Sequence, residues 1–185
     1  RRLLVDLGLL ARHRGTDHLL EAARRVVDRC PDAHFLVMGF PGPHIYHARA
    51  EALGLGDHTT FTGQVPYEQA PERLALGDVA VAPKLSATEG NGKILDYMAM
   101  ALPTVAFDTP VSREYLQDDG YYAPPGDVAA LADRIVAVLA DPAGARACAE
   151  RSRRRAVAEF DWARAGSALV GAYDRLTLQP RRVEA

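Results

Sequence analysis

The stretch Asp78-Val-Ala-Val-Ala-Pro-Lys-Leu-Ser-Ala-Thr-Glu-Gly-Asn-Gly-Lys-Ile-Leu-Asp-Tyr-Met-Ala99 decides the fold. Its apolar opening, Asp78 to Pro83, reads as a buried strand, and Ile94, Leu95, Met98 and Leu102 recur at helical spacing. A strand, a glycine-containing turn and a helix therefore follow one another. Gly90 and Gly92 let backbone approach a ligand closely, and free amides at a helix start attract anions, phosphate above all. Asp96 comes four positions after Gly92, which on a helix returns its carboxylate to the side of the turn. From there an acid can accept hydroxyl hydrogens of a sugar. The plainer reading is a tight turn with surface charges, in which Asp96 and Lys93 form an ordinary exposed pair. A Walker loop is excluded, because Ala87 stands where that motif needs glycine and Ile94 where it needs Ser or Thr.

Upstream, Leu3 to Leu10 is a short apolar run broken by Ala11-Arg-His-Arg-Gly15, a first strand and its loop. Thr16 or Asp17 is placed to cap a helix whose apolar face is Leu19, Leu20, Ala23, Val26 and Val27, ending before Pro31. His34 to Gly39 is a second strand, Pro41-Gly-Pro43 a turn, and His44 to Leu53 a helix closed by Gly54. Thr59 to Thr62 is a third strand, and a helix from Tyr67 to Leu76 leads into the fourth. Downstream, Thr104 to Phe107 is strand five, Pro110 to Leu116 a short helix and Tyr121 to Ala123 a sixth strand. Helices over Val128 to Leu139, Ala145 to Phe160 and Trp162 to Leu176 follow, with a polar tail from Gln179 to Ala185.

The chain has 185 residues, the size of one domain with a sizeable core, and we expect a single domain over 1–178. With 22 Lys+Arg against 24 Asp+Glu and a net charge of -2, no global field holds nucleic acid or acidic lipid, so a phosphate site must be local. Cys30 and Cys148 stand alone, which argues against a disulfide framework or a zinc site and favours a reducing, cytoplasmic setting. No apolar run reaches membrane-span length, and nothing at the start of this sequence resembles a signal peptide. Arg1-Arg2 directly before a strand suggests a piece of something longer.

Strands alternating with helices imply an α/β fold, a doubly wound, Rossmann-like parallel sheet of six strands in the order 3-2-1-4-5-6 with extra carboxyl-terminal helices. That order reverses between strands one and four, and ligands bind in the crevice beyond the carboxyl ends of those strands. The crevice loops are Ala11 to Gly15, with Arg12 and Arg14, and Lys84 to Gly92, with Glu89, Gly90, Gly92 and the adjoining Lys93. Topology and chemistry point to one pocket.

The motifs Gly8-Leu-Leu with Arg14-Gly15, Leu36-Val-Met-Gly39, Phe61-Thr-Gly-Gln-Val-Pro66, Asp78 to Pro83, and Glu89-Gly-Asn-Gly with Asp96-Tyr-Met-Ala99 occur in this order. Leu102-Pro-Thr-Val-Ala106 and Pro124-Pro-Gly-Asp127 continue the series. From Leu4 to about Tyr173 the chain resembles the carboxyl-terminal, donor-binding half of a GT-B glycosyltransferase, most similar to the retaining family numbered 4.

The resemblance implies transfer of a hexosyl group from a nucleoside-diphosphate sugar to an acceptor, with no cofactor and no metal. It implies that Glu89 binds the hydroxyls of the transferred sugar and is the catalytic carboxylate of this half, and that Asp96 holds the ribose. Arg14 stands where the family commonly has a Lys on the diphosphate, and Gln64 and Val65 where main-chain groups read the base. Gly90, Asn91, Gly92 and Lys93 complete the donor site, whose cations and amides would stabilise a departing nucleoside diphosphate. The interval from Glu89 to Asp96 is one residue shorter than the family's. Leu9 stands where many members have a second phosphate-binding Arg, leaving Arg12, Lys84 or Lys93 as substitutes. The amino-terminal, acceptor-binding half is the missing partner, so this piece alone is expected to be inactive.

Other candidates carry plainer readings. His13 lies on the first crevice loop, where the alternative to a phosphate contact is a solvated loop histidine, the reading taken here. His44 and His47 lack the companions a metal needs, and Phe160 and Trp162 are expected to anchor the last helix to the core. Arg151, Arg153, Arg154 and Arg155 form a solvated helix face, with a membrane-surface contact as the alternative. Two competing functions are half of a GT-B-like sugar-nucleotide epimerase and a binding module without catalysis. The segment from Asp78 to Ala106 favours the transferase.

Overall fold

The computed structural model describes residues 1–178. The expected tail from Gln179 to Ala185 lies outside them. One parallel sheet runs in the order β3-β2-β1-β4-β5-β6, the order expected from the sequence. Its strands are β1 (Arg2–Leu9), β2 (Ala33–Phe40), β3 (Thr59–Phe61), β4 (Val79–Ala82), β5 (Thr104–Phe107) and β6 (Tyr121–Ala123). The register pairs Val5 with Leu36 on one side of β1 and with Ala80 on the other, so β1 lies where the strand order reverses.

Side chains alternate along each strand between two cores. Leu4, Val37, Val81, Val105 and Phe107 face one layer, closed by Leu19, Leu20 and Val26 of α1 (Thr16–Arg29) and by Leu131 and Ile135 of α6 (Val128–Ala140). Val5, Met38, Ala80, Ala82 and Ala106 face the other, closed by Leu74 of α3 (Ala70–Leu74), by Ile94, Tyr97 and Met98 of α4 (Lys93–Ala99) and by Ala156 of α7 (Pro142–Glu159). The three alanines leave room for a large ring, and Tyr97 is fully buried there. Its hydroxyl accepts a 2.9 Å hydrogen bond from the Leu7 N–H, which ties α4 to β1. The remaining helices are α2 (Pro43–Ala52), α5 (Pro110–Leu116) and α8 (Trp162–Leu178).

Several expectations are corrected. Neither Thr16 nor Asp17 caps α1: Gly15 precedes its first residue, and the Thr16 hydroxyl instead accepts from the Ala11 N–H, closing the loop. The helix foreseen from Tyr67 to Leu76 is a 3-10 turn (Tyr67–Gln69) followed by the short α3. Helix α7 begins at Pro142, before Ala145, because the Asp141 carboxylate caps it by accepting from the Gly144 N–H. Trp162 does not anchor α8; it is 86% exposed, and only Phe160 packs on the core, edge-on to Tyr115. Within the arginine cluster, Arg155 is not solvated, its side chain being 11% exposed, whereas Arg151 is ion-paired with Asp119.

Candidate functional site

Two loops meet beyond the carboxyl ends of β1 and β4. Gly15 turns with φ of 85°, and a Cβ there would stand 1.9 Å from the Pro83 carbonyl oxygen, so only glycine lets the first loop lie against the end of β4. That approach carries Arg14 to the second loop, where its Nη2 is 2.6 Å from Oε1 of Glu89. The other oxygen of Glu89, Oε2, lies 3.0 Å from Nζ of Lys84. Lys84 is buried and donates further to the carbonyls of Gly90 at 2.8 Å and Glu89 at 3.2 Å. The Ser86 hydroxyl accepts from the Glu89 N–H, which closes the turn from below. Glu89 itself is half exposed, and the Lys84 hydrogen bond, with Arg14 adding to it, holds its carboxyl below the usual range.

Lys93 opens α4 and reaches across to β1, where Nζ lies 2.5 Å from Oδ1 of Asp6. Both side chains are largely buried. Leu7, Gly8, Leu9, Arg14 and Lys93 line a cavity of about 140 Å³ together with Gly90, Asn91 and Gly92. Across Leu7 to Leu9 it adjoins a second cavity of about 240 Å³, flanked by Phe40, Gln64 and Val65. Leu9 and Phe40, large and apolar, are each more than two-fifths exposed at this rim.

The structure thus brings Arg14, Glu89, Gly90, Asn91, Gly92 and Lys93 together and sets Gln64 and Val65 beside them. Asp96 lies apart from this group. It lines a larger cavity, about 740 Å³, with Tyr67, Leu95, Phe160 and Trp162, which touches the crevice through Gly92. No ion pair joins Asp96 to Lys93, since Lys93 takes Asp6; among the described residues the Asp96 carboxylate has no hydrogen-bond partner. Burial raises its carboxyl above the usual value. Of the three cations proposed in place of an Arg at Leu9, Lys84 is enclosed beneath the loop and Lys93 is paired. Arg12 is exposed and, among the described residues, has no ion-pair partner. His13 is exposed as expected.

Two members of the site were not singled out from the sequence as such. Asp6 had a signal, a lone acid inside the apolar run Leu3 to Leu10, because a charge in a buried strand requires a partner. Lys84 was named only as a candidate phosphate contact, and nothing in its spacing tells that its ammonium folds back under its own loop. A separate cavity of about 340 Å³, lined by Arg2, Asp78, Pro103 and Pro142 near the opposite ends of the strands, holds none of the candidate residues.

Residues 1–141 match the family described as glycosyl transferases group 1. Alpha-D-kanosaminyltransferase of Streptomyces kanamyceticus is 30% identical to the chain, over 96% of this chain and 47% of that protein. Among solved structures, sucrose-phosphate synthase from Thermosynechococcus elongatus superposes with a TM-score of 0.84 at 24% identity, covering 95% of this chain and 45% of that one. HepE of Anabaena, solved in complex with UDP, gives a TM-score of 0.83 at 18% identity, over 94% of this chain and 48% of its own. The chain spans about half the length of the curated relatives it matches. Among the described residues no helix is long and apolar enough to cross a membrane.

Proposed function

The chain belongs to the group 1 glycosyl transferases, and from that premise we propose that it is the donor-binding half of a retaining GT-B enzyme of the family 4 type, taking a hexosyl group from a nucleoside-diphosphate sugar. One observation carries the proposal. At the reversal of the strand order, Arg14, Lys93 and the Gly90 to Gly92 backbone border one cavity, and that cavity adjoins another beside Phe40, Gln64 and Val65. A diphosphate suits the first, which Arg14 and the glycine-containing loop border. A base suits the second, against the exposed Phe40 ring and the main chain of Gln64 and Val65. HepE of Anabaena, whose fold this chain shares, is solved in complex with UDP, which supports a nucleotide as the ligand.

In this proposal Glu89 faces the transferred sugar from the mouth of the crevice. Its charge, kept by Lys84 and Arg14, stabilises a sugar that becomes cation-like as the diphosphate leaves. Arg14 divides its donors between Glu89 and the diphosphate. Asp96, half-buried and unpartnered among the described residues, takes the ribose hydroxyls from the far side of Gly92. No cofactor enters the scheme. The acceptor and its binding half belong to the rest of a protein of the relatives' length. Calorimetric titration of the chain with UDP, GDP and ADP tests the reading: one of them binds with a dissociation constant between about micromolar and millimolar. Absence of heat with all three rejects it.

A further inference from the structure

We propose that Lys84 is a positioning residue of the donor site, a buried cation that sets the facing of both the Glu89 carboxylate and the loop amides; the inference rests on the donor-binding reading above. Lys84 is 2% exposed, and a buried ammonium is costly unless acceptors enclose it. All three of its acceptors come from two consecutive residues: the Glu89 carbonyl, the Gly90 carbonyl and Oε2 of Glu89. A cation that serves only to hold the fold together would be expected to draw its partners from other elements. Lys84 instead grips one loop by its backbone and its side chain at once.

The grip has a directional consequence. In a trans peptide the carbonyl and the following N–H point opposite ways. Because the Glu89 and Gly90 carbonyls are drawn to the ammonium, the N–H groups of Gly90 and Asn91 turn away from it. Neither N–H has an acceptor among the described residues, and both residues line the cavity that Arg14 and Lys93 also border. Successive outward N–H groups of this kind make a concavity for an anion. The same ammonium fixes one carboxylate oxygen of Glu89, while Arg14 takes the other. Lys84 touches neither phosphate nor sugar in this arrangement. It acts through the loop, which explains how a lysine so near the site lies enclosed and not at its surface.

The experiment compares the wild-type chain, Lys84→Met, Glu89→Gln and the double variant by calorimetric titration with UDP, GDP and ADP. With the nucleotide that binds the wild type, Lys84→Met weakens binding about tenfold or more, the scale of one lost charge-assisted group. It does so equally in the Glu89→Gln background, since the backbone contacts persist without the carboxylate. Equal affinity of Lys84→Met and wild type overturns the inference and leaves the donor-binding reading standing. Binding of no nucleotide by the wild type overturns that reading and this inference with it. Should Lys84→Met fail to fold, the wild type decides by NMR: on titration the Gly90 and Asn91 amide resonances shift together with those of Gln64 and Val65. Static Gly90 and Asn91 amides beside shifting Gln64 and Val65 overturn the inference.

Discussion

The Lys93 ammonium lies 2.5 Å from Oδ1 of Asp6, so the first residue of α4 is pinned to the middle of β1 by a largely buried ion pair. Removing one member of such a pair leaves an uncompensated charge, which costs more than the pair contributes. Asp6→Ala should destabilise the chain by about 3 kcal/mol in urea unfolding, the lower end of the range for breaking a buried pair. Lys93→Met together with Asp6→Leu, which removes both charges, should recover most of that loss. Equal instability of the single and double variants would show that packing around β1, and not the charge, is what matters.

Asp96 predicts a pH dependence. Burial raises its carboxyl above the usual value, so the folded state holds its proton more tightly than the unfolded chain does. Stability from this group is therefore full at pH values below the unfolded carboxylate range and is lost as pH rises through the folded pKa. Asp96→Asn removes the penalty of the buried charge. The variant should be more stable than wild type at neutral pH, by less than about 1 kcal/mol because the site is only half-buried, with the gain vanishing in acid. If Asp96 holds ribose, the same variant binds the preferred nucleoside diphosphate more weakly. Denaturant midpoints across pH and a titration at neutral pH measure the two effects separately.

Much of this was legible in the sequence for identifiable reasons. Apolar runs such as Thr104 to Phe107 and the punctuation at Pro110 located β5 and α5 residue for residue, because buried strands and proline starts leave little freedom. The strand order matches that expected for six strands in two alternating halves. The partners of charged side chains did not follow. The plainer reading pairs Lys93 with Asp96 on its own helix, yet Asp6, far away in sequence, takes it, since a buried acid in a central strand is the more demanding partner. Hydrophobicity alone places Trp162 against the core, but a residue's apolar nature does not say which surface it covers. The facing of the Lys84 to Gly92 loop was equally unreadable, because it depends on one ammonium turning back on its own chain.

The contact of Gly15 with Pro83 sets the distance between the two crevice loops. Gly15→Ala must both adopt a φ of 85° and push a methyl into the Pro83 carbonyl. A loss of about 2 to 3 kcal/mol is expected, together with weaker nucleotide binding, since Arg14 no longer reaches Glu89. A melt and a titration of the same sample check this. Loss of stability with unchanged affinity would mean that Arg14 finds the site by its own flexibility.

Glu89 should distinguish the sugar from the nucleotide. Glu89→Gln keeps the size and removes the charge. The preferred nucleoside diphosphate should bind it within about threefold of wild type, whereas the matching nucleotide sugar loses about tenfold, the scale of one charged hydrogen bond. Competition titrations with both ligands supply the comparison. A similar loss for both would place Glu89 on the phosphates.

The chain has a single tryptophan, and it stands 86% exposed at the start of α8, on the rim of the cavity that Asp96 lines. Its indole is already in water when the protein is folded, so its emission should change little as the two cores melt. Fluorescence will therefore be nearly blind to unfolding, while circular dichroism sees it. The same exposure makes the chain a built-in optical probe: whatever covers α8 dries this one ring, and a blue shift in its emission would announce that contact without any added label.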